Sequence, residues 1–231
     1  MESAYPIATV AELMGDPARS SILLTLIDGS SRPAGELAVL AGLSPQSASG
    51  HLSKLVCGGL LAVQGIGRHR YYKLASADIG HALEALGAIA TVPAKKRTNQ
   101  SPERLALHTA RTCYDHLAGR IAVELANFLT QEGALTASGE KEYELGKKGV
   151  AMFGNLGVDV ADVGNNRRCF ARQCIDWTER RPHLAGALGA ALCSRLMTLG
   201  WFARRPGTRV LRVTQRGARE LRDRFGIAER P

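Results

Sequence analysis

The sequence predicts a mainly α-helical protein with small β-hairpins, in which an N-terminal unit precedes a C-terminal helical unit made of two related halves. The prediction rests on helical patterns that begin with a capping residue and proline, β-prone runs joined by glycine-containing loops, and a four-residue motif that occurs twice. The 231 residues suffice for one large or two small domains. We place these at 1–92 and 102–231, with a linker at 93–101.

The first helical signals define a helix-turn-helix. Asp16 caps a helix whose apolar side chains recur at helical spacing, and a second, short helix begins at Pro33. Gly42, where a left-handed residue is favoured, ends that helix, and Ser44 with Pro45 then begins a third. Two short helices joined by a three-residue turn that contains glycine are typical of a helix-turn-helix.

The third helix and the hairpin after it have the composition of a nucleic-acid surface. Gln46, Ser47, Ser49 and Gly50 are small or hydrogen-bonding groups, which let a helix N-terminus approach phosphates and base edges closely. Residues 60–74 then read as a β-hairpin with cations at its tip. A final helix from about Ser76 carries an apolar stripe that can pair with another helix: Ile79, Leu83, Leu86 and Ile89.

Two stretches carry a family resemblance: DPARSSILLTL, and then GELAVLAGLSPQSASGHLSKLVCGGLLAVQGIGRHRYYKL. Through them, about residues 9–90 resemble the ArsR family of winged helix-turn-helix regulators. The resemblance implies a homodimeric repressor that binds an inverted repeat in double-stranded DNA and is released by an effector. It also implies DNA contacts from the third helix, in the major groove, and from the wing, at the backbone or minor groove: Ser44, Gln46, Ser47, Ser49, Gly50, His51 and Lys54, with Arg68, His69 and Arg70.

The sequence departs from the metal-sensing branch of this family. Pro33-Ala34-Gly35 stands where that branch has a Cys-x-Cys pair, and it offers no ligand atoms. On the last helix of the unit, Asp78 and His81 lack the second His-and-Glu pair of the other familiar site. Neither usual metal site of the family is therefore complete.

The positive charge of the chain is unevenly distributed. The net charge is +9, but residues 1–166 carry 15 basic and 16 acidic side chains, whereas 167–231 carry 15 arginines and 5 acidic side chains. Arginine suits phosphate contacts, although a solvated basic face has the same composition. Two function classes stay open: a regulator that reads a specific duplex, and an architectural or partner-binding protein whose Arg-rich tail binds nucleic acid nonspecifically.

Enzymes, membrane proteins and disulfide-rich exported proteins do not fit the sequence. The motifs GxSxG, GxxxxGK[ST] and HExxH are missing, as is a GxGxxG followed by an acidic residue. No run of 18 apolar residues occurs, and MESAYPIATV lacks the pattern of a signal peptide. The five cysteines form no CxxC, and an odd number favours free thiols. We expect a cytoplasmic protein, not an enzyme, that requires no cofactor.

The C-terminal unit contains an internal repeat. His116-Leu117-Ala118-Gly119 recurs as His183-Leu184-Ala185-Gly186, an offset of 67 residues, which places the halves at about 111–153 and 178–221. We expect each motif to lie at a helix start. We also expect one long amphipathic helix from Pro102 to about Gly133, which includes the first motif. The halves share their plan with the second part of a winged helix, so we hypothesise descent from winged-helix units.

The densest cluster of polar side chains lies at 169–183, in a pattern that resembles a CxDWxERRxHLAG signature found with ArsR-type domains in a larger subgroup. One hypothesis is a metal site of thiolates and imidazoles, in which Cys113 and His116 share a helical face. Its candidate ligands are Cys113, His116, Cys174, Asp176 and His183.

Two other interpretations of these segments stay open. In one, a pocket binds a small organic effector, and its residues are Tyr114, Asp115, His116, Trp177, Glu179, Arg180, Arg181 and His183. In the other, the site is only a buried polar network: Asp176, Glu179, Arg180 and Arg181 pair with one another, Trp177 belongs to the core, and the two histidines cap or brace helix starts. A redox switch at Cys169 and Cys174, whose arginine neighbours would favour the thiolate, is a further hypothesis.

Overall fold

The computed structural model describes residues 7–67, 69–90, 102–139, 141–165, 168–205 and 208–228. The chain divides into two compact units, 1–83 and 84–231. This division falls inside the last helix of the predicted N-terminal domain, whereas the predicted boundary at 92 and the linker 93–101 lie outside the described residues. About half of the chain is helical, and its strands form small antiparallel sheets.

The first unit is a winged helix-turn-helix. Its wing is the hairpin of β2 (Leu61–Ile66) and β3 (His69–Leu74), and a short strand, β1 (Arg32–Pro33), extends it into a sheet of order β1-β3-β2. The elements are α1 (Ile7–Gly15), α2 (Pro17–Thr25), β1 (Arg32–Pro33), α3 (Ala34–Leu40), α4 (Pro45–Cys57), β2 (Leu61–Ile66), β3 (His69–Leu74) and α5 (Ala77–Ile89), the last of which continues past residue 83.

The local signals in the sequence account for these helices. The Asp16 carboxylate accepts a hydrogen bond from the Arg19 amide at 2.9 Å, and Ser44 Oγ accepts one from the Ser47 amide at 3.2 Å. Each cap satisfies an amide that has no partner within its helix. Gly42 has a φ of +66°, as the turn between α3 and α4 requires. The predicted capping residues and the predicted turn are thus confirmed.

The second unit repeats one order of elements: hairpin, helix, hairpin, helix. After α6 (Pro102–Thr109), the first copy comprises β4 (Arg111–Cys113), β5 (His116–Ala118), α7 (Arg120–Gln131), β6 (Leu135–Ser138), β7 (Glu142–Leu145) and α8 (Lys147–Asn155), followed by α9 (Val160–Gly164). The second copy comprises β8 (Arg172–Ile175), β9 (Pro182–Ala185), α10 (Gly186–Thr198), β10 (Phe202–Arg204), β11 (Leu211–Val213) and α11 (Gln215–Phe225).

Strands of the two copies pair with each other in two places. The second hairpin of the first copy joins the first hairpin of the second copy in the sheet β6-β7-β8-β9, through Glu142 opposite Arg172. In the same way, β10–β11 lies against β4, where the Thr112 amide donates to the Arg209 carbonyl and the Leu211 amide donates to the Ala110 carbonyl. Each half therefore supplies edge pairing to the other, as expected for an approximate twofold relationship.

The prediction of one long helix over 102–133 is wrong. The chain leaves α6 at Thr109, forms the hairpin β4–β5 and enters α7 only at Arg120. Tyr114 turns the chain with a φ of +53°. Gly119, with a φ of +89°, lies so close to α6 that a Cβ there would be 2.7 Å from the His108 carbonyl oxygen. The His-Leu-Ala-Gly motif is accordingly a strand that leads into a helix in both copies, and not a helix start.

One apolar core underlies the second unit. α7 and α10 face it with most of their apolar side chains, and Trp201 and Phe153 are its largest fully buried members. Gly149 and Gly217 lie in the first turns of α8 and α11, against the backbone carbonyls of Ala134 and Trp201 respectively, so that a side chain at either position would collide with the backbone. Among the helices that the structure describes, none combines the length and apolarity needed to span a bilayer.

Candidate functional site

Helix α4 presents one apolar and one polar face. Ala48, Leu52 and Leu55 are buried in the core of the first unit. The opposite face is exposed to solvent and carries most of the side chains that were predicted to contact DNA: Ser44, Gln46, Ser47, Ser49, Gly50 and Lys54.

Gly50 lies in the middle of that exposed face. A Cβ at this position would meet no other atom within 4 Å, and its φ is not in the left-handed region. Neither packing nor backbone geometry therefore requires glycine there, although glycine weakens a helix interior. The missing side chain leaves the helix backbone open to close approach from outside.

His51 differs from the other predicted contact residues. It is half-buried, and its Nδ1 atom lies 3.7 Å from the Asp16 carboxylate, at the capped start of α2. The hydrogen bond from the Arg19 amide, with the charges of Arg19 and His51, holds the pKa of Asp16 below its ordinary value. In this structure His51 thus lies against α2 rather than on the exposed face of α4.

The wing carries exposed basic side chains. His69 pairs with Ile66 at the end of the hairpin, and both His69 and Arg70 are exposed. Arg68, the third predicted contact residue of the wing, lies outside the described residues.

Within the second unit, four side chains meet in a thiol–imidazole cluster, formed by Cys113, His116, Cys174 and His183. One donor atom from each lies within 4.8 Å of all the others. The two Sγ atoms are 3.9 Å apart, and the imidazole rings stack with centroids 5.1 Å apart. Cys174 is half-buried, and the other three residues are buried.

The cluster is built by cross-strand pairs. Cys113 lies directly opposite His116 in the hairpin β4–β5, and Cys174 lies directly opposite His183 in β8–β9. Residues opposite each other in an antiparallel ladder have side chains on the same face of the sheet. Cys113 and His116 therefore do share a face, but it is that of a hairpin and not the helical face that was predicted.

An aspartate backs each histidine of the cluster. The Nδ1 atom of His116 is 3.2 Å from the Asp115 carboxylate, and the Nδ1 atom of His183 is 3.8 Å from that of Asp176. Asp115 also pairs with Arg168 at 2.6 Å. In both rings Nδ1 is thus the nitrogen that lies beside a carboxylate.

The charges in the cluster favour a thiolate. The hydrogen bond to Cys113 and the imidazoles of His116 and His183 outweigh burial and lower the pKa of Cys174 far below its usual value. Burial opposes protonation of His116, but Asp115 and Cys174 raise its pKa to about 9. The interaction with Cys174 and burial raise the pKa of Cys113. A thiolate is the form of cysteine that binds metals and acts as a nucleophile.

Asp176 does not belong to the four-donor cluster but organises the residues beside it. Its buried carboxylate accepts hydrogen bonds from Arg111 Nη2 at 2.9 Å, from the Gly119 amide at 2.7 Å and from the Thr178 amide at 2.9 Å. Burial opposes ionisation, but the Arg111 charge and these hydrogen bonds outweigh it and hold the pKa of Asp176 far below its usual value. Asp176 thus lies in a buried polar network, but its charged partner is Arg111 and not the predicted Arg180 or Arg181.

Trp177, predicted to line an effector pocket, is packed against other side chains. Arg111 stacks over its ring at 4.8 Å, Arg209 lies at 5.9 Å, and His108 meets it edge-on at 5.7 Å. A Cβ on Gly87 of α5 would lie 3.4 Å from the Trp177 side chain.

The other residues predicted for the pocket surround this packing. Arg180 donates to the Ala90 carbonyl at 2.8 Å, Arg181 is exposed, and Tyr114 and Glu179 are half-buried. Burial raises the pKa of Glu179. A pocket of about 150 Å³ lies elsewhere, among Leu125, Phe153, Leu192, Phe225 and their neighbours, and contains none of the predicted effector residues.

Sequence reasoning missed two charged partners of this region. Arg111 is fully buried, and Glu84 of α5 is buried in an ion pair with Arg209. Glu84 stands within the apolar stripe of α5, and this position was a signal that its carboxylate pairs with a basic side chain. Nothing in the sequence pointed to Arg209, which lies 125 residues away.

Similarity to known proteins agrees with the N-terminal fold. The sequence is 47% identical over 211 residues to the uncharacterized HTH-type transcriptional regulator YdfF of Bacillus subtilis (strain 168), covering 91% of this chain and 93% of that protein. It is 38% identical over 80 residues to the HTH-type transcriptional regulator CmtR of Mycobacterium tuberculosis (strain ATCC 25618 / H37Rv), covering 35% of this chain and 67% of CmtR. No protein-family model matches the sequence.

Solved structures resemble less than half of the chain. HlyU from Vibrio cholerae N16961 is 28% identical, with a TM-score of 0.34, over 37% of this chain and 94% of its own. NolR from Sinorhizobium fredii is 33% identical, with a TM-score of 0.35, over 38% and 87%. The homodimeric winged helix-turn-helix domain of Mb0332 from Mycobacterium bovis, a possible ArsR-family regulator, is 23% identical, with a TM-score of 0.35, over 42% and 88%.

The relationship to YdfF extends over both units, since it covers nine-tenths of the chain. The N-terminal part has the helix-turn-helix and wing that its resemblance to the ArsR family implied. The chain belongs to the family of HTH-type transcriptional regulators, and its N-terminal part is an ArsR-like winged helix-turn-helix.

Proposed function

We propose that this protein is a sequence-specific, double-stranded DNA-binding repressor that acts in the cytoplasm as a homodimer on an inverted repeat and is released by an effector. The observation that carries the proposal is the exposed start of α4, where small and hydrogen-bonding side chains surround Gly50. A helix N-terminus attracts phosphate, and side chains of this kind reach base edges in the major groove.

The wing supports the same proposal. His69 and Arg70 are exposed on a hairpin that follows α4 directly in the chain. Cations on a wing contact phosphates or the minor groove, and such contacts orient a protein on DNA without reading its sequence. We therefore assign base contacts to α4 and backbone contacts to the wing.

Exposed apolar side chains support self-association. Ile89 of α5 is 74% exposed and Leu86, three residues earlier on the same face, is 47% exposed. Ile7 of α1 is 72% exposed. A twofold dimer would bury the stripe of Leu86 and Ile89 against the same stripe of its partner and would present two α4 helices to half-sites one turn of DNA apart, about 34–36 Å.

The decisive experiment is a footprint on the DNA upstream of the protein's own coding sequence, followed by binding measurements on variants. Gln46→Ala and Ser47→Ala should each weaken binding to the protected sequence by about 1–3 kcal/mol and leave binding to random DNA unchanged. Arg70→Ala is the matched comparison, because it should weaken binding to all sequences alike and reduce the salt slope by about one. Equal losses on random DNA for all three variants would refute base reading by α4.

The alternative is an architectural protein that binds nucleic acid nonspecifically. Arg212, Arg216, Arg219 and Arg222 are all exposed on β11 and α11, which favours this alternative. It predicts a steep salt dependence and little preference among sequences. A specific repressor should instead prefer its operator over random DNA by about a thousandfold or more at physiological salt.

A further inference from the structure

We propose that Cys113, His116, Cys174 and His183 bind one Zn²⁺ ion in a closed tetrahedral site that joins the first hairpins of the two copies. This site lies in the second unit, on residues separate from those where regulators of the ArsR type were expected to bind metal. It does not depend on the proposed DNA binding.

The distances fit a zinc ion. In a tetrahedral site with Zn–S bonds of about 2.3 Å, the two sulfur atoms lie about 3.8 Å apart. The Sγ atoms of Cys113 and Cys174 are separated by 3.9 Å, and all four donor atoms fall within 4.8 Å of one another. Only small side-chain movements would bring the donors to bonding distance.

The donor types point to the same ion. Two thiolates and two imidazoles in a tetrahedral arrangement are typical of zinc, whereas magnesium and calcium prefer oxygen ligands. The residues supply four protein ligands, which leaves no open position for a substrate. Such closed sites stabilise structure and do not catalyse.

The surroundings of the histidines match those of metal ligands. A ligating histidine usually directs its second ring nitrogen to a carboxylate, which fixes the ring orientation. Here Asp115 faces Nδ1 of His116 and Asp176 faces Nδ1 of His183. In each ring this arrangement leaves Nε2 for the metal.

Burial supplies an independent argument. Within the described residues, the Nε2 atom of the fully buried His183 has no hydrogen-bond partner. A buried polar atom without a partner is costly and calls for an explanation, such as an ion. A metal ion between the hairpins would satisfy this buried nitrogen of His183.

The test begins with the metal content of the full-length protein, purified under reducing conditions, incubated with Zn²⁺ and freed of excess metal. We expect about one zinc ion per chain, and its loss from the double variant Cys113→Ser, Cys174→Ser. Cys193→Ser is the matched control, because Cys193 is buried in α10 of the same unit but lies outside the cluster. That variant should keep its zinc.

Co²⁺ reports the coordination directly. Titration of the metal-free protein should produce the visible absorption of tetrahedral cobalt together with a sulfur-to-cobalt charge-transfer band. The Cys113→Ser, Cys174→Ser variant should show neither, and excess Zn²⁺ should remove both from the wild-type protein.

Thiol protection and melting temperature keep the test informative even if the double variant does not fold. In the wild-type protein, Zn²⁺ should protect half-buried Cys174 from N-ethylmaleimide, whereas exposed Cys57 and Cys169 should stay reactive. A saturating ion should raise the melting temperature by about 5–10 °C relative to chelator-treated protein.

The proposal would be overturned by no zinc after incubation, by equal zinc in the wild type and the double variant, or by octahedral cobalt spectra. A Cys113–Cys174 disulfide in freshly isolated, metal-free protein would identify the pair as a redox couple instead. None of these measurements includes DNA. Failure of the zinc site and failure of the proposed repressor function can therefore be told apart.

Discussion

The imidazole rings of His116 and His183 stack at 5.1 Å between centroids, with planes inclined by 29°. The two residues occupy the same position in the two copies of the repeat, each opposite a cysteine on the neighbouring strand. Their contact is therefore the place where equivalent parts of the copies meet. Backbone hydrogen bonds between the copies, from the Thr112 amide to Arg209 and from the Leu211 amide to Ala110, hold the first hairpin against the second copy.

The open face at Gly50 predicts that one substitution there raises stability and that another weakens DNA binding. Gly50→Ala should raise the free energy of unfolding by about 0.5–1 kcal/mol, because alanine favours helix and meets no neighbour. Gly50→Glu should fold normally but weaken specific DNA binding by more than about tenfold, since it places bulk and negative charge beside phosphates. Ala75→Glu, an equal charge change at an exposed residue before α5, is the control. Tight operator binding by Gly50→Glu would contradict the assigned interface.

The buried pair Arg111–Asp176 predicts a large and non-additive loss of stability. Asp176→Asn or Arg111→Met should each cost about 3–5 kcal/mol, because each leaves a buried charge without its partner. The double variant should cost less than the sum of the two, because it removes both charges. Urea unfolding followed by the fluorescence of Trp177 and Trp201, both in this unit, measures the effect. Additive losses would mean that the two side chains act independently.

Two equivalent glycines predict matching sensitivities in the two copies. Gly119 and Gly186 have φ values of +89° and +81°, and a Cβ on either would lie 2.7 Å from a carbonyl oxygen. Alanine at each position should therefore reduce the free energy of unfolding by more than about 1 kcal/mol. Gly154→Ala, inside α8 with open space around it, should be neutral or stabilising. If Gly119→Ala left stability unchanged while Gly186→Ala reduced it, the two positions would not be structurally equivalent.

The cap of α2 predicts a pH dependence of the first unit. Since the pKa of Asp16 is lower in the folded protein, its stabilising effect is present above its ordinary pKa of 3.8 and is lost as pH falls below that value. Asp16→Asn keeps an oxygen that can accept from the Arg19 amide but does not titrate, so its stability should depend less on pH in this range. The measurement is thermal unfolding at a series of acidic pH values. Asp78→Asn, at a side chain that is 95% exposed, is the control and should follow the wild type.

The sequence predicted the N-terminal unit well because its signals are local. Asp16 and Ser44 each precede a proline and cap a helix, and Gly42 marks the turn between α3 and α4. Both capping side chains accept from an amide three positions away, so no distant part of the chain decides the outcome. His51 differs because its position depends on Asp16, which belongs to another helix.

The start of the second unit could not be predicted in this way. Leu117 stands four residues before Ile121 and eight before Leu125, which is helical spacing, yet Leu117 lies in β5 and the other two in α7. Three-residue strands carry too little periodicity to oppose that pattern.

The repeat did bring Cys113, His116, Cys174 and His183 into one hypothesis. Their facing arrangement required the strand register, and the place of Asp176 outside the cluster depended on Arg111, 65 residues away.

The cross-strand pairing has a consequence for how the cluster comes into being. Each hairpin contributes a single thiol and a single imidazole, so an isolated copy could never offer more than a bidentate clamp. All four ligands come together only after the two copies have docked. Under the zinc proposal, the ion would therefore bind late in folding. It would stabilise only chains whose two copies have already docked correctly.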